Sequence, residues 1–377
     1  SRKWCNIMQY RQLGNTGIKL SALGFGTMRL PLNADKTIDE NQAIDILRTG
    51  IDGGINYIDT AYLYHEGQSE TIVGKALRDG YRDKVYLADK CPVWMIEKED
   101  DFERILEEQL AKLQTDRIDC YLLHALNRER FEQNVKKFHL VEKAVKAKKE
   151  GKIGWIGFSF HDSFDVFQEI IDDTDEWDFC QIQYNYINLE EQAGIKGLKL
   201  AAERGLGVIV MEPLLGGKLA CPAAHVSECF SKEKTPVEHA FDFLWDQPEV
   251  SLLLSGMSDQ KQVEENLIYA DRSFIGMVTE EEKQNYKKAK QTFDKMPIVN
   301  CTKCRYCMPC PFELDIPEIF AAYNMSASLG REEAKEAYGK LSKGGMDCMA
   351  CRRCEKECPQ HISISEQMKA VSKYFDK

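Results

Sequence analysis

From about residue 20 the chain alternates short apolar runs with amphipathic segments. The runs are "ALGFGTM" (22–28), "NYIDTA" (56–61), "VYLADKC" (85–91), "DCYLLHAL" (119–126), "IGWIGFSF" (153–160), "FCQIQYN" (179–185), "GVIVMEPLL" (207–215) and "SLLLSGM" (251–257). Most are too short for helices, and their apolar character suits strands covered on both faces. The segments between them carry helical patterns. In "DDFERILEEQLAKLQ", Phe102, Ile105, Leu106, Leu110 and Leu113 fall on one stripe with charges opposite. In "SETIVGKALRDG", Ser69 suits the start of a helix and Gly80 its end. Similar segments lie near 40–52, 139–150, 164–172, 194–204, 236–246 and 260–270. Eight strand–helix pairs in ~250 residues predict an α/β fold, a (β/α)8 TIM barrel. A doubly wound open sheet would need fewer strands and an early glycine-rich phosphate turn, for which "LGFGTM" is too weak a match.

Beyond residue 275 the pattern changes. "TEEEKQNYKKAKQTF" reads as a charged helix, and "IPEIFAAYNMSASLG" and "REEAKEAYGKLSKGG" as two more. Around the last two lie "CTKCRYCMPCP" (301–311) and "CMACRRCEKECP" (348–359). The predicted organisation is a barrel over 8–275, a connecting helix or linker over 276–298, and a small α-helical ferredoxin-like domain over 299–377.

Of the 14 cysteines in 377 residues, eight sit in those two blocks, and Cys5, Cys91, Cys120, Cys180, Cys221 and Cys229 are scattered singly. Disulfide scaffolds do not bunch thiols at every third residue, so metal ligation in a reducing compartment is expected. The second block reads C-x2-C-x2-C-x3-C-P, the bacterial run for 4Fe–4S clusters; the first is one residue shorter before its last cysteine. In two-cluster ferredoxins the cysteine before proline ligates the other cluster. Cys301, Cys304, Cys307 and Cys358 are therefore expected on one cluster, and Cys348, Cys351, Cys354 and Cys310 on the other. Zinc sites are the alternative, although zinc motifs usually pair two cysteines and then skip a dozen residues.

The formal net charge of −11 argues against nucleic-acid or anionic-membrane partners. No apolar run approaches the ~20 residues needed to span a bilayer. "SRKWCNIMQY" lacks the apolar core of a secretory signal, so a cytoplasmic location is expected. Met8 reads as a native start and residues 1–7 as an extension.

Barrels of this type carry their chemistry at the C-terminal ends of the strands. Asp59, Tyr64, Lys90 and His124 fall there. The motifs "YIDTAYLYHEGQSE", "ADK", "LLH", "GFS", "QIQYN", "PLLGG" and "SGMSDQKQVEEN" occur in the order seen in aldo-keto reductases, which the chain resembles over roughly 9–275. The resemblance implies NAD(P)H-dependent reduction of a small carbonyl compound by hydride transfer, with Asp59, Tyr64, Lys90 and His124 as catalytic tetrad. A free phenol, of pKa ≈ 10, is a weak acid near neutrality. Lys90, paired with Asp59, would favour the phenolate of Tyr64, and His124 would orient the carbonyl. The resemblance also implies that Ser159 and Gln181 bond the nicotinamide amide. It puts Leu214, Gly216 and Gly217 in the pyrophosphate loop, and Ser255, Gly256, Glu265 and Asn266 around the adenosine part.

Three positions depart from the family. Met211, followed by Glu212, stands where a tyrosine commonly stacks on the nicotinamide ring. The loop after the last strand has Ser258 and Asp259 with only Lys261 basic, which favours NADH over NADPH. Phe160 and His161 stand where many relatives have Asn after the Ser. A barrel of this family followed by such a cysteine module resembles an iron–sulfur-bearing subgroup common in anaerobic microbes.

Hydride carriers and single-electron clusters do not exchange directly, and no flavin motif is present to bridge them. Three readings follow. In the first, the barrel is a carbonyl reductase whose clusters serve structure, sensing or docking. In the second, a ferredoxin-like partner feeds electrons through the clusters to a substrate or to a flavin in the barrel. In the third, which the intact tetrad disfavours, the barrel is a nucleotide-sensing regulatory subunit.

Overall fold

The computed structural model describes residues 8–375; the extension assigned to residues 1–7, Cys5 included, lies outside the described residues. Contact density divides the chain into two compact units. One runs through Pro213 and includes Phe241–Val278; the other joins Leu214–Ala240 to the chain from Thr279 onward.

The first unit opens with a hairpin, β1 (Tyr10–Gln12) and β2 (Lys19–Ser21), which pair antiparallel. Eight parallel strands follow: β3 (Leu23–Gly26), β4 (Tyr57–Asp59), β5 (Tyr86–Cys91), β6 (Ile118–Leu126), β7 (Ile153–Phe160), β8 (Phe179–Gln183), β9 (Gly207–Met211) and β10 (Leu252–Ser255). Each pairs with the next, and β10 closes on β3, giving a TIM barrel. The strands are covered on both faces: every residue of β6 is buried, as its largely apolar run predicts.

Leu13 and Leu20 of the hairpin pack with Tyr57, Ala88, Leu122, Ile209 and Leu252 in one buried cluster. Gly14, at φ +49°, brings the hairpin turn so close to β9 that a Cβ would lie 2.3 Å from the Gly207 nitrogen. The hairpin thus covers the end of the barrel where the strands begin. The strand C-termini are left for chemistry.

Local signals were partly redirected by packing. The helix expected over 69–80 spans Ser69–Ala76, and Ser69 does not cap it. Its hydroxyl lies 2.8 Å from Thr27 Oγ1 and 2.9 Å from Thr60 Oγ1 inside the barrel wall. Elsewhere local chemistry holds. Asp39 caps Glu40–Asp52 and Asp259 caps Gln260–Asp271 through side-chain bonds to Gln42 and Gln262 nitrogens.

In the second unit, Thr279 and Glu282 form a capping box for helix Glu280–Phe293. Against that helix, Tyr286 donates to the His239 carbonyl (2.6 Å), and Phe230 stacks on the His239 ring at 4.6 Å. Helices Ile316–Leu329, Arg331–Gly339 and Ile364–Phe375 bury Leu314, Ile319, Phe320, Ala334, Met368 and Val371 in a small core. Cys301, Cys307, Cys310, Cys348, Cys354 and Cys358 pack against this core. No helix among the described residues is long and apolar enough to cross a membrane.

Candidate active site

At the C-terminal ends of β4 and β5, Asp59 and Lys90 point into the barrel, and both are buried. Lys90 Nζ lies 2.8 Å from each Asp59 carboxylate oxygen. It also donates to the Thr60 carbonyl (2.7 Å) and to the Tyr64 hydroxyl (3.4 Å). An ammonium has three protons; here Asp59, Thr60 and Tyr64 use all three. Burial raises the Asp59 carboxyl, and the Lys90 charge and hydrogen bond oppose that rise.

Tyr64 opens a tight turn over Tyr64–Gly67, in which His65 and Glu66 take left-handed conformations (φ 51° and 57°). His65 Nε2 accepts from the Leu30 amide at 3.1 Å, which fixes the turn to the loop after β3. His124, near the end of β6, meets the Tyr64 ring edge-on at 6.1 Å. Burial pushes the His124 imidazole well below its ordinary value, with Lys90, Arg130 and His161 acting in the same direction. It is therefore neutral near pH 7 and offers an uncharged ring to a bound oxygen.

Trp94 and Arg130 were not singled out in the sequence. Trp94 packs on His124 at 5.2 Å, and the Arg130 guanidinium lies over the indole at 4.4 Å. Trp94 stands four residues beyond Lys90 in the loop after β5, and that placement at the barrel's chemical end is the signal that could have found it.

The β6–β7 register shifts between Leu123 and Leu126, and Ala125 takes φ 54°. This bulge aims the Ala125 amide at Ser159 Oγ (2.7 Å), so the buried Ser159 hydroxyl accepts there and keeps its own proton to donate. On β8, Gln181 donates to Met211 Sδ at 3.5 Å, while its buried Oε1 has no hydrogen-bond partner. A hydroxyl donor and an orphaned amide oxygen side by side fit a carboxamide such as that of nicotinamide.

Ser255 and Asn266 are joined by a 3.0 Å bond after β10. Gly256 faces Arg29, whose Cβ would be 3.5 Å from a Cβ placed there. Arg29 is a third residue missed in the sequence, and Glu212 holds its guanidinium at 3.1 Å. Lys261 points to solvent 3.7 Å from Glu265, and Asp259 is engaged in its cap. Leu214, Gly216 and Gly217 belong to the second unit. There Gly216, at φ +65°, presses so closely on Thr302 that a Cβ would lie 2.6 Å from its Cα, and Lys218 donates to the Cys301 carbonyl.

In that unit Cys301, Cys304, Cys307 and Cys358 line one cavity with Arg305, Ile316, Phe320, Ile362 and Ile364. The cavity thus brings the first three cysteines together with Cys358, distant in the chain. Burial pushes the Cys307 thiol up, and the neighbouring Cys304, Cys301 and Cys358 sulfurs add to the shift. The Cys354 thiol is pushed up to about 11 by burial first, then by Glu355, Cys348 and Cys351. Cys310 packs on the unit's core at the end of the first run. Among the described residues no three such side chains converge on one ion-sized point. Four soft sulfur donors around an apolar-walled space fit a cluster larger than one ion.

A parallel barrel with a buried lysine–aspartate pair against a tyrosine at its C-terminal rim defines an oxidoreductase of the aldo-keto reductase type. The aldo/keto reductase family model matches residues 22–281, and the chain belongs to that family. A second model, the 4Fe-4S dicluster domain, matches residues 298–362. L-galactose dehydrogenase of Arabidopsis thaliana is 29% identical over 69% of this chain and 87% of its own length. Among solved structures, a holo-form aldo-keto reductase of Bacillus halodurans matches with TM-score 0.64 at 26% identity, over 75% of this chain and 96% of its own. An aldo-keto reductase of Klebsiella pneumoniae in complex with NADPH gives TM-score 0.63 at 26% identity and the same coverage of each.

Proposed function

We propose that the protein reduces the carbonyl group of a small aldehyde or ketone with NADH or NADPH, with Tyr64 as proton donor. The observation that carries this is the Lys90 ammonium, held by Asp59 and Thr60 and directed at the Tyr64 hydroxyl. Positive charge beside the hydroxyl favours the phenolate left after proton transfer, so Tyr64 donates more readily than a free phenol. Neutral His124, braced by Trp94, orients the carbonyl oxygen toward Tyr64. Ser159 and Gln181 hold the nicotinamide carboxamide, and Met211 lies against that position through Gln181. Ser255, Gly256, Glu265 and Asn266 take the adenosine part, and Leu214, Gly216 and Gly217 the pyrophosphate. When bound, the reduced nicotinamide supplies the hydride. Asp259, Glu265 and the Arg29–Glu212 pair leave little free positive charge after β10, which supports NADH over NADPH.

The eight block cysteines hold two 4Fe–4S clusters, one on Cys301, Cys304, Cys307 and Cys358, the other on Cys348, Cys351, Cys354 and Cys310. Bound clusters supply single-electron redox chemistry. The cavity shared by Cys358 and the first three cysteines supports the crossed arrangement.

Met211 favours a second reading, in which the barrel holds a flavin fed by a ferredoxin-like partner through the clusters. Anaerobic purification with iron, sulfide, flavin and nicotinamide quantified together separates the two. Carbonyl turnover with NADH or NADPH and no stoichiometric flavin is the expected result. Stoichiometric flavin with no nicotinamide-dependent turnover would overturn the first reading.

A further inference from the structure

Successive residues of a strand face opposite ways, so Asp89 points outward where Lys90 points in. Asp89 lies between β5 and two helices, Ser69–Ala76 and Asp101–Leu113, and Asp89, Glu70 and Gln109 are all completely buried. Asp89 Oδ1 accepts the Lys90 amide at 2.8 Å, whereas Oδ2 has no donor facing it. Its neighbour on the helix is the Glu70 carboxyl. Glu70 already accepts from Gln109 Nε2 and from Lys112 Nζ, each at 3.0 Å. Gln109 Nε2 also donates to the Lys90 carbonyl (2.8 Å), and its Oε1 accepts from the Tyr121 hydroxyl (2.5 Å). Both backbone polar groups of Lys90 are thus gripped by one buried network.

The partly exposed Lys112 pairs with Glu70 alone, and Lys90, the other cation near Asp89, is already paired with Asp59. Two ionised carboxylates in contact with an unmet acceptor are costly in a dry wall. One proton removes the conflict, because a protonated Asp89 can donate to Glu70. We infer that Asp89 carries that proton in the working protein and that Asp89, Glu70 and Gln109 are positioning residues for Lys90. Burial, then Glu70, pushes the Asp89 carboxyl well above its ordinary range. The titratable or charged groups facing it are Glu70, Lys90, Cys91 and Tyr121, with Lys112 acting through Glu70. The same helix start reaches Lys90 from inside as well. Ser69 bonds Thr60, whose carbonyl takes the Lys90 ammonium.

A carboxyl with a raised folded pKa binds more protons folded than unfolded, starting at the unfolded value of about 3.9. It therefore costs stability progressively as pH rises from ~4 through the folded value. Asp89→Asn has no such dependence and keeps a donor for Glu70. Its Tm relative to the unsubstituted protein should gain about 2–4 °C or more between pH 5 and pH 8. A Tm gap that does not change with pH would overturn the proton assignment. The positioning role rests on the function proposed for Lys90 and has a separate readout. Asp89→Ala should lower kcat about tenfold with nucleotide affinity unchanged, and Asp89→Asn should recover to within about threefold. Equal kcat in the two variants would overturn positioning. The Tm series reads the proton whatever the barrel catalyses, so its failure is distinct from failure of the reductase reading, which would appear as full turnover without Tyr64.

Discussion

The barrel unit and the cysteine unit handle buried polar chemistry in opposite ways. In the barrel, Lys90 has every ammonium proton matched by an acceptor from the same unit, and its backbone is held by Asp89 and Gln109. The rim is set before any ligand arrives. In the cysteine unit, four thiols line a cavity, and burial, then the neighbouring sulfurs, pushes the Cys307 thiol up. As thiolates they would repel, and a few helices packed on a small core oppose that repulsion. The first arrangement is preorganised by protein; the second is completed by what it binds.

The contrast can be broken at several points. Lys90→Met should have the largest effect, since it leaves Asp59 buried without its partner. Expected are a loss of about 3–5 kcal/mol in the unfolding free energy of the barrel and a fall in kcat of at least ~10²-fold, read by thermal unfolding and steady-state kinetics. Cys304→Ser comes next. About half the iron should be lost if, as proposed, each run serves one of two clusters with three cysteines. Nicotinamide-dependent turnover should persist if the barrel is preorganised on its own, and its loss with the iron would merge the two regions into one working unit. The smallest effect concerns acid stability. The folded pKa of His124 is depressed below the unfolded value of about 6.5, so the unfolded state binds the extra proton and stability falls as pH drops below ~6.5. His124→Gln should flatten that acid slope by up to about 1.4 kcal/mol per pH unit, measured by denaturant titration at pH 5 and pH 7; parallel slopes would show that His124 already charges in the fold.

What could be read from the sequence followed from locality. Eight strands were visible because double-sided burial writes largely apolar runs such as 119–126, and the cysteine spacing is itself the motif. The hairpin at 10–21 was not visible, since its strands are three residues each and its apolar residues plug a barrel rather than face a sheet partner. Ser69 misled for the same reason: its hydroxyl found Thr27 and Thr60 across the barrel wall instead of its own helix. Gln109, Tyr121, Trp94 and Arg29 act through residues far away in the chain, and composition gives no sign of such pairings. Tyr64, Lys90, Asp59 and His124 could be named because each lies at or just beyond the C-terminal end of a strand, where this architecture collects its chemistry, and because each falls in a motif that resembles those of the aldo-keto reductases.

The central claim is that the Tyr64 phenol, beside the Lys90 ammonium, delivers the proton. Turnover of Tyr64→Phe, measured beside its nucleotide affinity by fluorescence titration, tests it most directly. A fall in kcat of about 10²–10⁴-fold with nucleotide affinity held within about twofold is expected. Undiminished turnover in the phenylalanine variant would contradict it.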